Sequence, residues 1–131
     1  YGDYWAHWLS FAKRSNKLAK IFHVNWFRRD SAGKFLWPGF GDNLRVLRWI
    51  IDRCEERIGA VETPIGHLPK PSDIDVKDID VSSSTLEQLL AVDPEQWRAE
   101  MKSIGEYFAE FGSRLPSELS AEHQKVVRAL G

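Results

Sequence analysis

Phe27, Phe35 and Phe40 fall in the stretch NWFRRDSAGKFLWPGFGDN, from Asn25 to Asn43, which also holds Trp26, Trp37, three glycines and a proline. Rings on a glycine-bent backbone suit a flat ligand. The chemistry on offer is stacking of a planar heterocycle such as a nucleobase, worth roughly 1–3 kcal/mol per base whichever base is stacked. Gly39 and Gly41 flank Phe40, so the backbone can turn sharply there and approach a ligand without a Cβ in the way. Telling one base from another requires hydrogen bonds to its edge. Asn43 carries donor and acceptor on one planar amide, and the first turn of the helix that follows adds unpaired backbone N–H groups. Donors aimed at one spot suit guanine O6, whereas adenine presents an amino group there and leaves each unpaired, at about 1–3 kcal/mol. The positive end of a helix favours the carbonyl as well. The pattern alone also admits a plainer reading: aromatics on adjacent strands are more often core, and a WPGFG loop can be a rigid corner with no ligand.

The elements that must hold these residues read as α+β, helix-rich, with short strands at about 20–27, 34–37 and 61–65. Tyr4, Trp8 and Phe11 mark a helix from Asp3 to about Arg14. Ile21, Phe22, Val24, Trp26 and Phe27 form a nearly continuous apolar run, as in a strand covered on both faces. Asp30–Gly33 reads as a turn and Pro38–Gly41 as a tight loop. Asp42 or Asn43 caps the next helix, whose inward stripe is Leu47, Ile50, Ile51, Cys54 and Ile58, with Cys54 as buried filler.

Residues 69–83 read as an acidic, turn-rich connector, with four aspartates between 73 and 80. Ser84-x-x-Glu87 reads as a capping box, and Asp93-Pro94 as a cap followed by proline at the first helical position. Trp97, Met101, Ile104, Phe108 and Phe111 share one face of that helix. Gly112 ends it, and a last helix from Pro116 or Ser120 turns Val126, Val127 and Leu130 inward. The expected organisation is 1–68, 69–83 and 84–131 within one incomplete domain.

Composition narrows the function classes. No run of about 18 apolar residues exists for a membrane span. The single cysteine excludes an internal disulfide and fits a reducing, cytoplasmic setting. The first residues, YGDYWAHW, lack an initiating Met and the layout of a signal peptide, and read as a cut inside a longer protein. The net charge of −1 hides eleven Lys/Arg against six Asp/Glu in residues 1–57, and seven against thirteen in 58–131. A basic, aromatic front suits an anionic ligand, or simply two charged surfaces with different neighbours. His7, His23, His67 and His123 have no metal-ligand spacing, and no G-x-x-x-x-G-K-[ST] loop occurs. Arg28 and Arg29 can lean toward a triphosphate, or be solvated turn charges.

The segment KIFHVNWFRRDSAGKFLWPGFGDNLRVLRW closely resembles the guanine-binding segment of GTP-dependent phosphoenolpyruvate carboxykinase. GDYWAHWLSFAKR, ETPIGHLP, LLAVDPEQW and FGSRLPSEL resemble its flanking helix and its C-terminal tail, so the resemblance spans essentially the whole chain. It implies a helix-rich C-terminal part of that family's α/β nucleotide-binding domain, about the last fifth of the enzyme. It implies that Phe27, Phe35 and Phe40 surround the guanine, that Gly41, Asp42 and Asn43 form the edge-reading turn, and that Trp26 supports the pocket. The partners implied are a guanine nucleotide (GTP or GDP) and the remainder of the carboxykinase chain, with no nucleic acid or membrane. Catalytic residues and Mn2+ or Mg2+ are implied to lie outside this stretch, leaving it without turnover, and an unpaired strand 20–27 implies self-association. Ala19, where the family usually has proline, and Leu44, in place of a small residue, depart from the pattern. Two other classes stay open on the residues: an aromatic module for single-stranded RNA or sugar, and a purely structural or interaction piece.

Overall fold

A computed structural model describes residues 1–131 as five α-helices and one two-stranded antiparallel sheet. The helices are α1 (Gly2–Ser10), α2 (Asn43–Cys54), α3 (Ser83–Leu90), α4 (Pro94–Ala109) and α5 (Ser117–Leu130). The strands are β1 (Val61–Thr63) and β2 (Gly66–Leu68). The α+β, helix-rich class is the observed one. The chain divides into two compact units, one joining Tyr1–Ala19 to Val92–Gly131 and the other formed by Lys20–Ala91. Residues 1–68 therefore contribute to both.

In the first unit, Asp93 opens α4 because its carboxylate accepts from the backbone N–H groups of Glu95 and Gln96, and Pro94 supplies a preset φ. The inward face of α4 centres on Met101, whose carbonyl lies 2.7 Å from His123 Nε2 on α5. Gly105 lets that imidazole approach, since a Cβ there would stand 3.3 Å from its ring. Trp5 of α1 sets its ring edge-on to Phe111 at 4.8 Å, with Tyr107 and Phe108 beside it. Gly2 is buried against the Arg114 carbonyl, which a Cβ there would overlap. α5 starts at Ser117 and buries Leu130, but Val127 is exposed, not inward.

The second unit is built around Trp37, Trp49, Ile74, Val81 and Leu86. Ser82, not Ser84, caps α3, its hydroxyl accepting from Thr85 N at 3.1 Å. On α2 the buried side is set by Trp49, with Val46 and Ile50 packed against the core. Leu47, Ile51 and Cys54 face solvent, so the inward stripe is rotated from the expected one and Cys54 is not buried filler. The wide indole, and not the aliphatic count, decides which side of the helix turns in.

Three strand expectations change. Residues 20–27 form no strand: Phe22, Val24 and Trp26 are half-buried while Ile21 and Phe27 are 86% and 73% exposed. The segment has one covered face and not two, and no neighbouring segment accepts its ladder hydrogen bonds. Residues 34–37 reduce to a single bridge between Arg29 and Phe35. The 61–65 region opens a hairpin in which Thr63 pairs with Gly66 across Pro64-Ile65, so its last two residues are turn and the chain returns as β2. Residues 69–83 hold no strand, yet their Ile74 and Val81 are core residues, with Val76 and Ile79 packed against them.

Candidate functional site

The aromatic stretch is a small hairpin followed by a glycine corner. Asn25 Oδ1 accepts from Phe27 N at 2.9 Å and fixes the entry. Asp30 Oδ1 accepts from both Ala32 N and Lys34 N, and Gly33 takes a φ of +82° to close the turn. Backbone bonds from Leu36 N to Arg28 O and from Asp30 N to Lys34 O bracket the Arg29–Phe35 pair. That makes it the narrow, non-hydrogen-bonded kind, in which opposing side chains come closest. Accordingly the Arg29 guanidinium lies 4.0 Å over the Phe35 ring, and its Nη1 donates to the Gly33 carbonyl at 2.9 Å. Phe27, two residues along on the same side, meets Phe35 edge-on at 6.2 Å and 63°. Arg28 points elsewhere: its Nη1 donates to the Leu89 carbonyl at 2.9 Å. Arg28 is thus not a free turn charge, whereas Arg29 stays exposed to solvent while its guanidinium covers Phe35.

The corner follows from Gly39, whose φ of +130° suits glycine. Phe40, Gly41 and Asp42 form one 3-10 turn leading into α2. Phe40 is 91% exposed and stacks on no ring of this chain. Neither Asp42 nor Asn43 caps α2 with its side chain, since the Asp42 carboxylate accepts from Arg45 Nε at 3.1 Å instead. The Asn43 side chain turns inward, where its Oδ1 accepts from Trp37 Nε1 at 2.9 Å. An indole N–H can only donate, so the amide orientation is determined: oxygen to Trp37, nitrogen free. Trp26 neighbours Trp37, with ring centroids 6.3 Å apart and planes tilted by 47°.

Phe27 and Phe35 thus come together, Asn43 is tied to the core through Trp37, and Phe40 stands apart. Trp37 was missed by sequence reasoning, and Arg29 was weighed for a triphosphate or for solvent but not for its contact with Phe35. The available signals were a Trp just ahead of the Pro-Gly corner and an Arg opposite a Phe across an Asp-x-x-Gly turn. An open concavity of about 880 Å³ abuts the corner through Gly41 and Asp42 and continues along Arg45, Arg48, Trp49 and Ile74. It includes none of the three phenylalanines, which are themselves exposed to solvent. Trp49 is core, and its indole N–H is a buried donor with no partner.

No group of three or more His, Cys, Asp or Glu side chains is arranged to hold a metal ion. His7, His23 and His67 are exposed, His7 lying edge-on to Phe11 at 5.1 Å. No helix is long and apolar enough to cross a membrane.

Comparison with known proteins gives a consistent result. A family described as "Phosphoenolpyruvate carboxykinase C-terminal P-loop domain" matches residues 1–129. "Phosphoenolpyruvate carboxykinase [GTP]" of Paenarthrobacter aurescens is 47% identical over 99% of this chain and 22% of its own length. The protein of the same description from Neocallimastix frontalis is 51% identical over 92% of this chain and 20% of its own, and that from Chlamydia muridarum 45% over 97% and 21%. The chain spans about a fifth of the length of the curated relatives it matches.

Proposed function

This chain belongs to the phosphoenolpyruvate carboxykinase family, by its C-terminal P-loop domain, and on that premise we propose that Asn25–Asn43 holds the guanine of GTP or GDP. The observation that carries the proposal is the fixed Asn43 amide. Trp37 occupies its oxygen and leaves its nitrogen as a donor with no protein partner. A free N–H2 favours a base whose edge accepts, as guanine O6 does, over one that presents an amino group there.

Phe27, Phe35 and Phe40 supply the stacking surface. Phe27 and Phe35 already touch edge-on, so a base gripped on both faces takes Phe40 as one of its walls. Gly41 keeps the turn open, Asp42 is drawn aside by Arg45, and Trp26 packs beside Trp37.

The parent reaction we assign is conversion of oxaloacetate and GTP to phosphoenolpyruvate, CO2 and GDP, with the remainder of the polypeptide as partner. The donor set here does not fit the divalent ion (Mn2+ or Mg2+) that such a reaction uses. On the family resemblance, metal, phosphate and substrate contacts are assigned to that remainder, and this stretch alone to no turnover. Relatives that are whole carboxykinases do not favour a free-standing RNA or sugar module.

The test is a titration of the complete polypeptide with GTP and ATP, followed by tryptophan fluorescence. GTP binds more tightly on this reading, and an equal response to both would sink it. Phe40→Leu weakens both nucleotides together by roughly 5- to 150-fold, the range set by the stacking of one base. It leaves folding unchanged because Phe40 is exposed.

A further inference from the structure

We infer that Arg29 is a positioning residue for the base site: its guanidinium holds Phe35 and polarises the ring for stacking with an electron-rich purine. The inference rests on the guanine reading above and deepens it. Three observations converge on the pair. Arg29 and Phe35 face one another across the hairpin's single bridge. The guanidinium carbon sits 4.0 Å over the ring. The same side chain is tied to the turn by donation from Nη1 to the Gly33 carbonyl. Arg29 pairs with no carboxylate of this chain, so its charge is directed at the ring and not neutralised by a neighbour.

A cation on one face attracts the ring's π density toward itself. A base stacking on Phe35 must use surface that Arg29 leaves open, and there it meets a ring depleted of electrons. Guanine, the most electron-rich of the common bases, gains most from such a partner. Arg29 thereby adds to the preference read by Asn43 without touching the base edge. The hydrogen bond to Gly33 makes the arrangement rigid, because the guanidinium is anchored to the turn that also sets the position of Phe35.

The experiment compares Arg29→Gln, Arg29→Lys and wild type in the complete polypeptide, using guanosine and adenosine as competitors of bound GTP. Nucleosides carry no phosphate, so a direct ion pair between Arg29 and phosphate plays no part in how tightly the competitor is held. Gln keeps an N–H2 group but has no charge; Lys keeps the charge. Arg29→Gln is expected to weaken guanosine by roughly 2- to 5-fold, the range for an exposed cation over a ring. Adenosine should weaken less, and Arg29→Lys should restore guanosine binding to within about twofold of wild type, a smaller loss than any in the range for the missing cation. A wild type that prefers guanosine, with an Arg29→Gln variant indistinguishable from it, overturns this inference alone. Tighter binding by Arg29→Gln also overturns it, by showing that the guanidinium occupies the face the base needs. A wild type with no preference for guanosine over adenosine overturns the guanine reading and this inference with it.

Discussion

Replacing Asn43 with Ala and with Asp separates what this side chain does for the core from what it does for the ligand. Its oxygen accepts from Trp37 Nε1 at 2.9 Å, and Trp37 is only 6% exposed. In Asn43→Ala that indole N–H is left in the core with no acceptor, which costs about 1–3 kcal/mol. The urea midpoint should fall at unchanged slope. Asn43→Asp keeps an acceptor for the indole and places a carboxylate in the first turn of α2, where the helix dipole contributes about 0.3–1 kcal/mol in its favour. Its midpoint should match or exceed wild type. Base discrimination moves the other way. Asp offers only lone pairs to guanine O6, so the preference for GTP over ATP should collapse by roughly 5- to 150-fold, the equivalent of one unmade hydrogen bond. Denaturation curves and calorimetric titrations with GTP and ATP give both quantities from the same samples. An Ala variant as stable as wild type, or an Asp variant with undiminished GTP preference, refutes the coupling.

Two further predictions probe the rest of the chain. Ile74→Ala should destabilise by about 2–5 kcal/mol in urea melts, because Ile74 is a core residue, while Ile21→Ala at an 86% exposed position should stay within about 0.5 kcal/mol. Glu118 is held below its ordinary value of 4.5 by its own backbone N–H at the start of α5, then by Lys13 and Ser117. A depressed folded pKa means that its contribution is complete above that ordinary value and is lost as pH falls through the folded one. The carboxyl resonance of Glu118 should titrate with a midpoint below 4.5, moving up in Lys13→Ala; a wild-type midpoint at or above 4.5 contradicts the assignment.

Local signals were legible wherever the chain satisfies them locally. Asp93-Pro94 starts a helix because the cap and its targets lie within three residues. The glycine corner around Phe40 was legible for the same reason, since Gly39 alone permits its φ. Residues 20–27 misled because an apolar run states that a segment is covered, not what covers it or whether a ladder partner exists. Cys54 misled because counting aliphatic positions ignores how one indole, Trp49, rotates the whole of α2. The two contacts that give the candidate site its character, Trp37 to Asn43 and Arg29 to Phe35, join residues six apart through a turn. Sequence spacing on a helix or strand has no template for such a turn, so the residue types were visible and their pairing was not.

The way the chain divides into units sets an order of events during synthesis. Lys20–Ala91 is continuous, so its core can close as soon as it leaves the ribosome, whereas Tyr1–Ala19 must find Val92–Gly131. Trp5 waits about a hundred residues for Phe108 and Phe111, on the order of 5–20 s at ordinary translation rates. Through that interval Trp5, with Tyr4 and Trp8 beside it, has its contacts with Tyr107, Phe108 and Phe111 still unmade. Of these two units, the one that holds the stretch assigned to the base is therefore complete earlier, and α1 is the element whose packing depends on residues made later.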